Sequence, residues 1–344
     1  MRFEFRAPDA ERVQLSGGDL PGVGRGRDLE RNDDGLWSVT IDDVPAGAFR
    51  YQYIVDGTVV LDPSNPHTSQ ANATVWNLAL MPGDERFDER DVPHGVVATL
   101  EYRNEELGLE RRAHVYTPPG YEKSAEDFPV FYLLHGATDS DASWSTVGRA
   151  AVILDNLIAA GKARPMIVVM PDGHTAGFRF GPGNGPSFEE QMEEFRDDFT
   201  KVLRPLIESR YRTINDRSGR AIGGLSMGGF QTLDIAFAQP EDYAYVMVMS
   251  SGLFGIEGGQ GREPNRAWEE AHAAALDAAS TKEGLRLFWF GCGKEDFLLG
   301  TAKASVAMFE GHGLDVEYVE TDGGHTWFNW RDYLADLTPR LFQP

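Results

Sequence analysis

The segment Arg220-Ala221-Ile222-Gly223-Gly224-Leu225-Ser226-Met227-Gly228-Gly229-Phe230 constrains the fold more than any other part of the chain. It reads as a short apolar strand running into glycines, a single serine, and a helix that starts near Met227 and continues through Leu233 to Phe237. Gly224-x-Ser226-x-Gly228 is the spacing of a turn too tight for side chains on either side of the serine, whose hydroxyl is lifted above the strand end. A serine held there can attack a carbonyl. Taken alone, the pattern also fits a glycine-rich helix entry merely capped by its serine. Two partners downstream, in the order this chemistry requires, favour the nucleophile.

From Val92 onward, strand and helix patterns alternate, which predicts a doubly wound, mostly parallel sheet covered on both faces. Val96–Tyr102 and Arg112–Tyr116 read as an opening antiparallel hairpin. The runs Val130–Leu134, Met166–Met170, Ala221–Ile222, Tyr245–Met249, Leu285–Phe290 and Val316–Val319 read as buried parallel strands. Helical patterns fall between them at Ala150–Ala160, Glu189–Tyr211, Gly229–Ala238, Ala267–Ala279 and Ala302–Gly311. Ligands on such sheets gather at the carboxyl ends of the strands, so the residues following each strand are the candidates for chemistry.

Three strand ends carry it. Ser226 follows one. Gly291-Cys292-Gly293-Lys294-Glu295-Asp296-Phe297 follows another and offers two adjacent carboxylates, while Thr321-Asp322-Gly323-Gly324-His325-Thr326-Trp327 follows the last. A serine hydroxyl needs an imidazole to take its proton; His325 suits that role, and a carboxylate on the other ring nitrogen fixes the tautomer. Asp296 is preferred over Glu295, because Phe297 beside it can anchor the loop in apolar surroundings and Lys294-Glu295 resembles a solvated charge pair. The oxyanion needs two N–H donors: Met227 at the start of the elbow helix, and Ala137 in the glycine-containing turn after Leu133-Leu134-His135-Gly136. His135 reads as a loop brace. Gly136, Trp144, His174, Phe178 and Trp327 are candidate substrate-lining residues, with the insertion Ala176–Pro186, the loop Leu253–Pro264 and Trp330 as further wall.

The formal charge of −22, from 32 basic and 54 acidic side chains, opposes nucleic acid and anionic membranes as partners and favours neutral substrates. A single cysteine, Cys292, excludes an intramolecular disulfide and a thiolate metal cluster, and no His or Cys spacing predicts a metal site or cofactor. Met1-Arg2-Phe3-Glu4-Phe5 is not a signal h-region and no apolar run is long enough for a bilayer, so the chain reads as soluble; oligomeric state and compartment stay open.

Residues 1–62 show period-two alternation and turn signals: Arg2–Arg6, Val13–Leu15, Leu36–Ile41, Phe49–Val55 and Thr58–Leu61 read as strands of a small all-β sandwich. Pro63 to Pro93 has no sustained period and reads as a long connection. The predicted organisation is residues 1–82, sandwich plus linker, and 83–344, the α/β region.

Arg6-Ala7-Pro8-Asp9-Ala10, Asp34-Gly35-Leu36-Trp37, Tyr51-Gln52-Tyr53-Ile54-Val55-Asp56-Gly57 and Asp62-Pro63 resemble the immunoglobulin-like early-set domain related to glycogen-binding modules. That resemblance implies carbohydrate contact through exposed aromatics such as Trp37; the competing reading places Trp37, Tyr51 and Tyr53 in the sandwich core. Val92-Pro93-His94-Gly95, Val115-Tyr116-Thr117-Pro118-Pro119-Gly120-Tyr121, Tyr132-Leu133-Leu134-His135-Gly136, Met170-Pro171-Asp172-Gly173-His174, Gly224-Leu225-Ser226-Met227-Gly228-Gly229 and Gly323-Gly324-His325-Thr326-Trp327 resemble the carbohydrate esterase family of feruloyl and acetylxylan esterases, α/β hydrolases. The likeness covers essentially the whole chain, with enterochelin-type siderophore esterases among similar hydrolases. It implies cofactor-free hydrolysis of a small-molecule or polysaccharide ester, with plant cell-wall arabinoxylan as the leading substrate. A siderophore trilactone esterase and a non-catalytic glycan-binding protein on the same fold are the alternatives.

Overall fold

The computed structural model describes residues 1–175, 186–258 and 263–343. The N-terminal strands are β1 (Arg2–Arg6), β2 (Val13–Gly17), β3 (Gly24–Asp28), β4 (Glu30–Arg31), β5 (Leu36–Thr40), β6 (Gly47–Val55), β7 (Thr58–Val60), β8 (Thr68–Gln70) and β9 (Val75–Met81). They form two sheets, β1-β5-β4 and β3-β2-β6-β9-β8, with β7 paired to β6. Alternate residues of β2 and β6 point inward, so Val13, Leu15, Phe49, Tyr51 and Tyr53 meet Phe3 and Trp37 between the sheets.

Two expectations are corrected here. The stretch 63–93 is no mere connection, because it supplies β8 and β9, and β9 pairs with the long strand β6 from Gly47↔Met81 to Tyr51↔Asn77. Its inward alternation is broken by Asn77, a buried amide that receives the Asp62 N–H and donates to the carbonyls of Asp62 and Asn65. Trp37 is not an exposed platform: it is 7% exposed, and its indole N–H donates to the Ala7 carbonyl at 2.8 Å.

The remaining strands, β10 (Val96–Asn104), β11 (Leu109–Thr117), β12 (Val130–Leu134), β13 (Ile167–Pro171), β14 (Arg220–Leu225), β15 (Tyr245–Met249), β16 (Leu287–Gly293) and β17 (Glu317–Thr321), make one eight-stranded sheet in the order β10-β11-β13-β12-β14-β15-β16-β17. Pairings from β13 to β17 are parallel, while β10, β11 and β13 pair antiparallel. Helices α1 (Ala150–Ala159), α2 (Phe188–Asp198), α3 (Arg204–Arg210), α4 (Met227–Ala238), α5 (Ala267–Asp277), α6 (Ala279–Gly284), α7 (Leu299–Gly311) and α8 (Trp327–Leu337) cover it. The predicted helix over Glu189–Tyr211 is α2 and α3 joined by a π-helical turn at Phe199–Leu203. Helix α8, which carries Trp327 and Trp330, has no counterpart among the predicted helices.

The strands bury both faces. One core packs Phe237, Phe288 and Phe309 against one side of the sheet; the other packs Trp144, Trp289 and Tyr333 against the opposite side. Ala48 and Leu78 of the sandwich belong to this second core, and Phe328 of α8 packs into the sandwich. Between the two regions lies Arg331 of α8, 1% exposed, whose guanidinium donates to the carbonyls of Ala48 and Val147 at 3.0 Å each.

Candidate active site

Strand β14 is buried throughout and ends in a crowded turn. A Cβ on Gly224 would lie 2.5 Å from the Gly228 carbonyl, and one on Gly228 would lie 2.6 Å from the His135 carbonyl oxygen, so glycine is required at both. Between them Ser226 adopts φ 53° and ψ −119°, a conformation that costs a side-chain-bearing residue roughly 1–3 kcal/mol. The surrounding bonds hold it there. Its N–H donates to Met249 O at 2.9 Å, and its carbonyl accepts from Gly229 N, Phe230 N and the Ser251 hydroxyl.

His325 stands between β17 and α8. Its Nδ1 lies 3.0 Å from each carboxyl oxygen of Asp296, which follows β16. A carboxylate there fixes the ring proton on Nδ1 and leaves Nε2 with the lone pair. Burial pushes the Asp296 carboxyl up, but the His325 ring and the Leu298 N–H outweigh it and hold the group below the ordinary carboxylate range. Glu295 is exposed, with its backbone N–H on Gly323 O. Lys294 pairs with Asp322 at 2.7 Å, so the solvated pair is Lys294 with Asp322, not with Glu295. Phe297 is no apolar anchor either: it is 74% exposed and leans on the His325 ring, centroids 4.5 Å apart. Cys292 is buried, and burial together with Asp296 pushes its thiol up to about 12, which keeps it protonated at neutral pH.

The turn after β12 is shaped by His135, 1% exposed. Its Nε2 accepts the Gly173 N–H at 2.8 Å, so its Nδ1 carries the proton and donates to Gly136 O at 2.8 Å. Gly136 O also accepts from Asp139 N at 3.0 Å. With that carbonyl tied back, the trans peptide turns the Ala137 N–H the opposite way. Gly136 itself abuts the serine: a Cβ there would meet Ser226 Cβ at 3.3 Å and Leu225 Cδ1 at 2.7 Å.

Ser226, Met227, His325, Gly136 and Ala137 line one cleft of about 1300 Å³. Trp327 and Trp330 stand beside His325 in its wall, and Phe188 and Phe254 form an aromatic flank, edge-on to each other, with Phe254 stacked on Phe230 and Phe188 tilted against it. Trp144 lies behind that wall, 1% exposed, edge-on to Trp327 with its N–H on Leu134 O. His174 packs against His135 at 9% exposure, and burial followed by the neighbouring His135 lowers its imidazole to about 4. Phe178 and Phe180 lie outside the described residues. The remaining wall is one the sequence reading missed: Asp19, Arg50, Asn72, Thr74 and Trp76 of the sandwich. Arg50 and Gln52 alternate with Phe49, Tyr51 and Tyr53 along β6, and such a polar face reads as solvent unless another region is known to cover it. Among the described residues, no group of three or more His, Cys, Asp or Glu is placed to hold a metal ion, and no helix is long and apolar enough to cross a membrane.

A serine elbow above the centre of a mostly parallel sheet, with a histidine after the last strand and an acid after the one before it, defines an α/β hydrolase. The Esterase family model matches residues 104–341, and the chain belongs to that family; the model for carbohydrate-binding module 48, the isoamylase N-terminal domain, matches residues 1–65. An endo-1,4-beta-xylanase/feruloyl esterase of Xylanibacter ruminicola is 31% identical over 350 residues, covering 99% of this chain but 44% of that protein, so the chain spans less than half of it. A solved ferulic acid esterase matches at 27% identity and TM-score 0.60, over 72% of this chain and 98% of its own. The enterobactin esterase of Shigella flexneri matches in fold at TM-score 0.69 and 18% identity, over 100% of this chain and 92% of its own.

Proposed function

We propose that this chain is a serine carboxylic-ester hydrolase that removes feruloyl or related hydroxycinnamoyl groups, or acetyl groups, from plant cell-wall arabinoxylan. The observation that carries this is the His325 ring bonded through Nδ1 to a buried Asp296 in the same cleft as the strained Ser226. Ser226 Oγ attacks the ester carbonyl carbon while Nε2 of His325 takes its proton. Met227 N–H and Ala137 N–H receive the oxyanion. Collapse breaks the bond to the sugar oxygen, which leaves as a hydroxyl with the proton from the imidazolium; water then repeats the sequence on the acyl-serine. Asp296 stays ionised and orients the ring.

The aromatic flank of Phe188 and Phe254 suits a planar acyl group, and the cleft volume exceeds what such a group fills, leaving room for sugar rings. The alternative, hydrolysis of a siderophore trilactone, draws on the whole-chain fold match to the enterobactin esterase. Charge opposes it. Among the described lining residues, Arg50 is paired with Asp139 and Glu190 adds a further carboxylate, so an anionic ferric complex would meet no unpaired Lys or Arg there. Steady-state hydrolysis of methyl ferulate, acetylated xylan and a catecholate trilactone by wild type and Ser226→Ala tests the reading. We expect turnover of the first or second, abolished in Ser226→Ala. Preference for the trilactone would reverse the substrate assignment, and no turnover of any ester would favour a glycan-binding role.

A further inference from the structure

We propose that Arg50, from the sandwich, is a positioning residue for the oxyanion loop, so that the N-terminal region completes the catalytic apparatus of the α/β region. The inference rests on reading Ser226 as the nucleophile and Ala137 N–H as an oxyanion donor. Arg50 leaves β6 with 12% of its side chain exposed and spends every nitrogen. Nη1 bonds Asp139 Oδ1 at 2.5 Å, Nη2 bonds Ser143 Oγ at 2.7 Å and Gln70 O at 2.9 Å, and Nε bonds Ser69 Oγ at 2.9 Å.

Two of those acceptors belong to the turn that carries Ala137. Asp139, 4% exposed at its side chain, gives the N–H that ties back the Gly136 carbonyl. Ser143 Oγ accepts the Ser140 N–H at 3.0 Å, closing the far side of the same turn. A second sandwich contact fixes the peptide that joins Thr138 to Asp139, since Asn72 N–H donates to Thr138 O at 3.1 Å. The Arg50 guanidinium also lies 5.9 Å from the ring centroid of Trp327, a cleft residue two positions beyond His325. An oxyanion donor acts through its position. Displacement of a reacting geometry by about 1 Å can cost on the order of 100-fold in rate, and nothing in the α/β region replaces the Arg50 arm that reaches Asp139 among the bonds described.

The test compares Arg50→Ala, Arg50→Lys, Asp139→Asn and the double variant Arg50→Ala/Asp139→Asn with wild type on methyl ferulate and an aryl acetate, alongside near-ultraviolet circular dichroism and thermal melting. We expect Arg50→Ala to lower kcat on the order of 10- to 100-fold while KM stays within about threefold. Affinity for a boronic acid that mimics the tetrahedral intermediate should fall by a similar factor, and ferulate product inhibition should not change. Arg50→Lys recovers only part of the rate, because an ammonium cannot hold Asp139 and Ser143 together in one plane. The double variant should be no slower than Arg50→Ala, as expected for residues acting as one unit. If Arg50→Ala does not fold, Asp139→Asn and Ser143→Ala each remove one arm: a kcat loss of about tenfold at unchanged KM supports the proposal, and wild-type kcat in both overturns it. A native-like Arg50→Ala with wild-type kcat overturns the proposal and leaves the esterase reading intact. A wild type that hydrolyses no ester overturns that reading, and the proposal with it.

Discussion

Ser226 holds its φ of 53° because its own amide and carbonyl are claimed by Met249, Gly229 and Phe230, and because two neighbours lack side chains. The carboxylates after β16 are sorted just as locally, by which one the chain buries: Asp296 faces the imidazole from inside, while Glu295 stays in water. Asp296→Asn is expected to lower kcat on the order of 10³- to 10⁴-fold, because the amide cannot hold the ring in the required tautomer. Glu295→Gln should leave kcat within about twofold on the same reasoning. Parallel assays of the two check the assignment, and the reverse ranking would move the acid role to Glu295. At this scale the chain was readable wherever chemistry forces a rare residue pattern, as at Gly224-x-Ser226-x-Gly228. It was not readable at Phe297, where an aromatic expected to be inside lies 74% exposed over His325.

The turn from Gly136 to Ser143 is an element organised from outside itself. Arg50 holds two of its residues, and Arg112 and His114 of β11 hold a third, Asp141, through bonds of 2.7–2.8 Å to a carboxylate with no exposed side chain. Burial pushes Asp141 up, but His114 and Arg112 together pull it further down, leaving it below the ordinary carboxylate range. A carboxyl depressed on folding adds stability that is complete above its unfolded value, near 4, and is lost as pH falls through its lower folded value. Urea unfolding of wild type and Asp141→Asn should therefore show a gap of about 2 kcal/mol at neutral pH that narrows steadily below about pH 4. A gap that stays constant on acidification would contradict the pairing. Elements written as unbroken apolar runs were legible from sequence, as in β12 and β15. Strand β9 was not, since Asn77 faces inward, and α8 was not, since Trp327, Trp330 and Tyr333 on it serve the cleft and the core together.

Across the whole molecule, the proposed regions 1–82 and 83–344 do not keep separate interiors. Ala48 and Leu78 pack in the core of the larger sheet, and Arg331 spans the junction with its guanidinium so buried that burial lowers its ordinary value to about 10. Melting the sandwich alone would lose the bond from that cation to the Ala48 carbonyl, worth about 1.5–3 kcal/mol for a charged donor, together with the packing of Ala48 and Leu78. Calorimetry of the full chain should accordingly give one transition with matching calorimetric and van't Hoff enthalpies; two resolved peaks would show independent units. The sequence divides into a sandwich and an α/β region readily enough, because strand periodicity gives way to strand–helix alternation, but the packing of one on the other leaves no periodic mark. The four-residue bend at 71–74 between β8 and β9 forms part of the cleft rim, closed by Ala71 N–H on Thr74 O and buttressed by Gln52. That bend joins no strand end bearing Ser226, Asp296 or His325, yet its Asn72 N–H holds Thr138 O, so a change of its length would reshape the rim and pull on the turn beneath it in a single step.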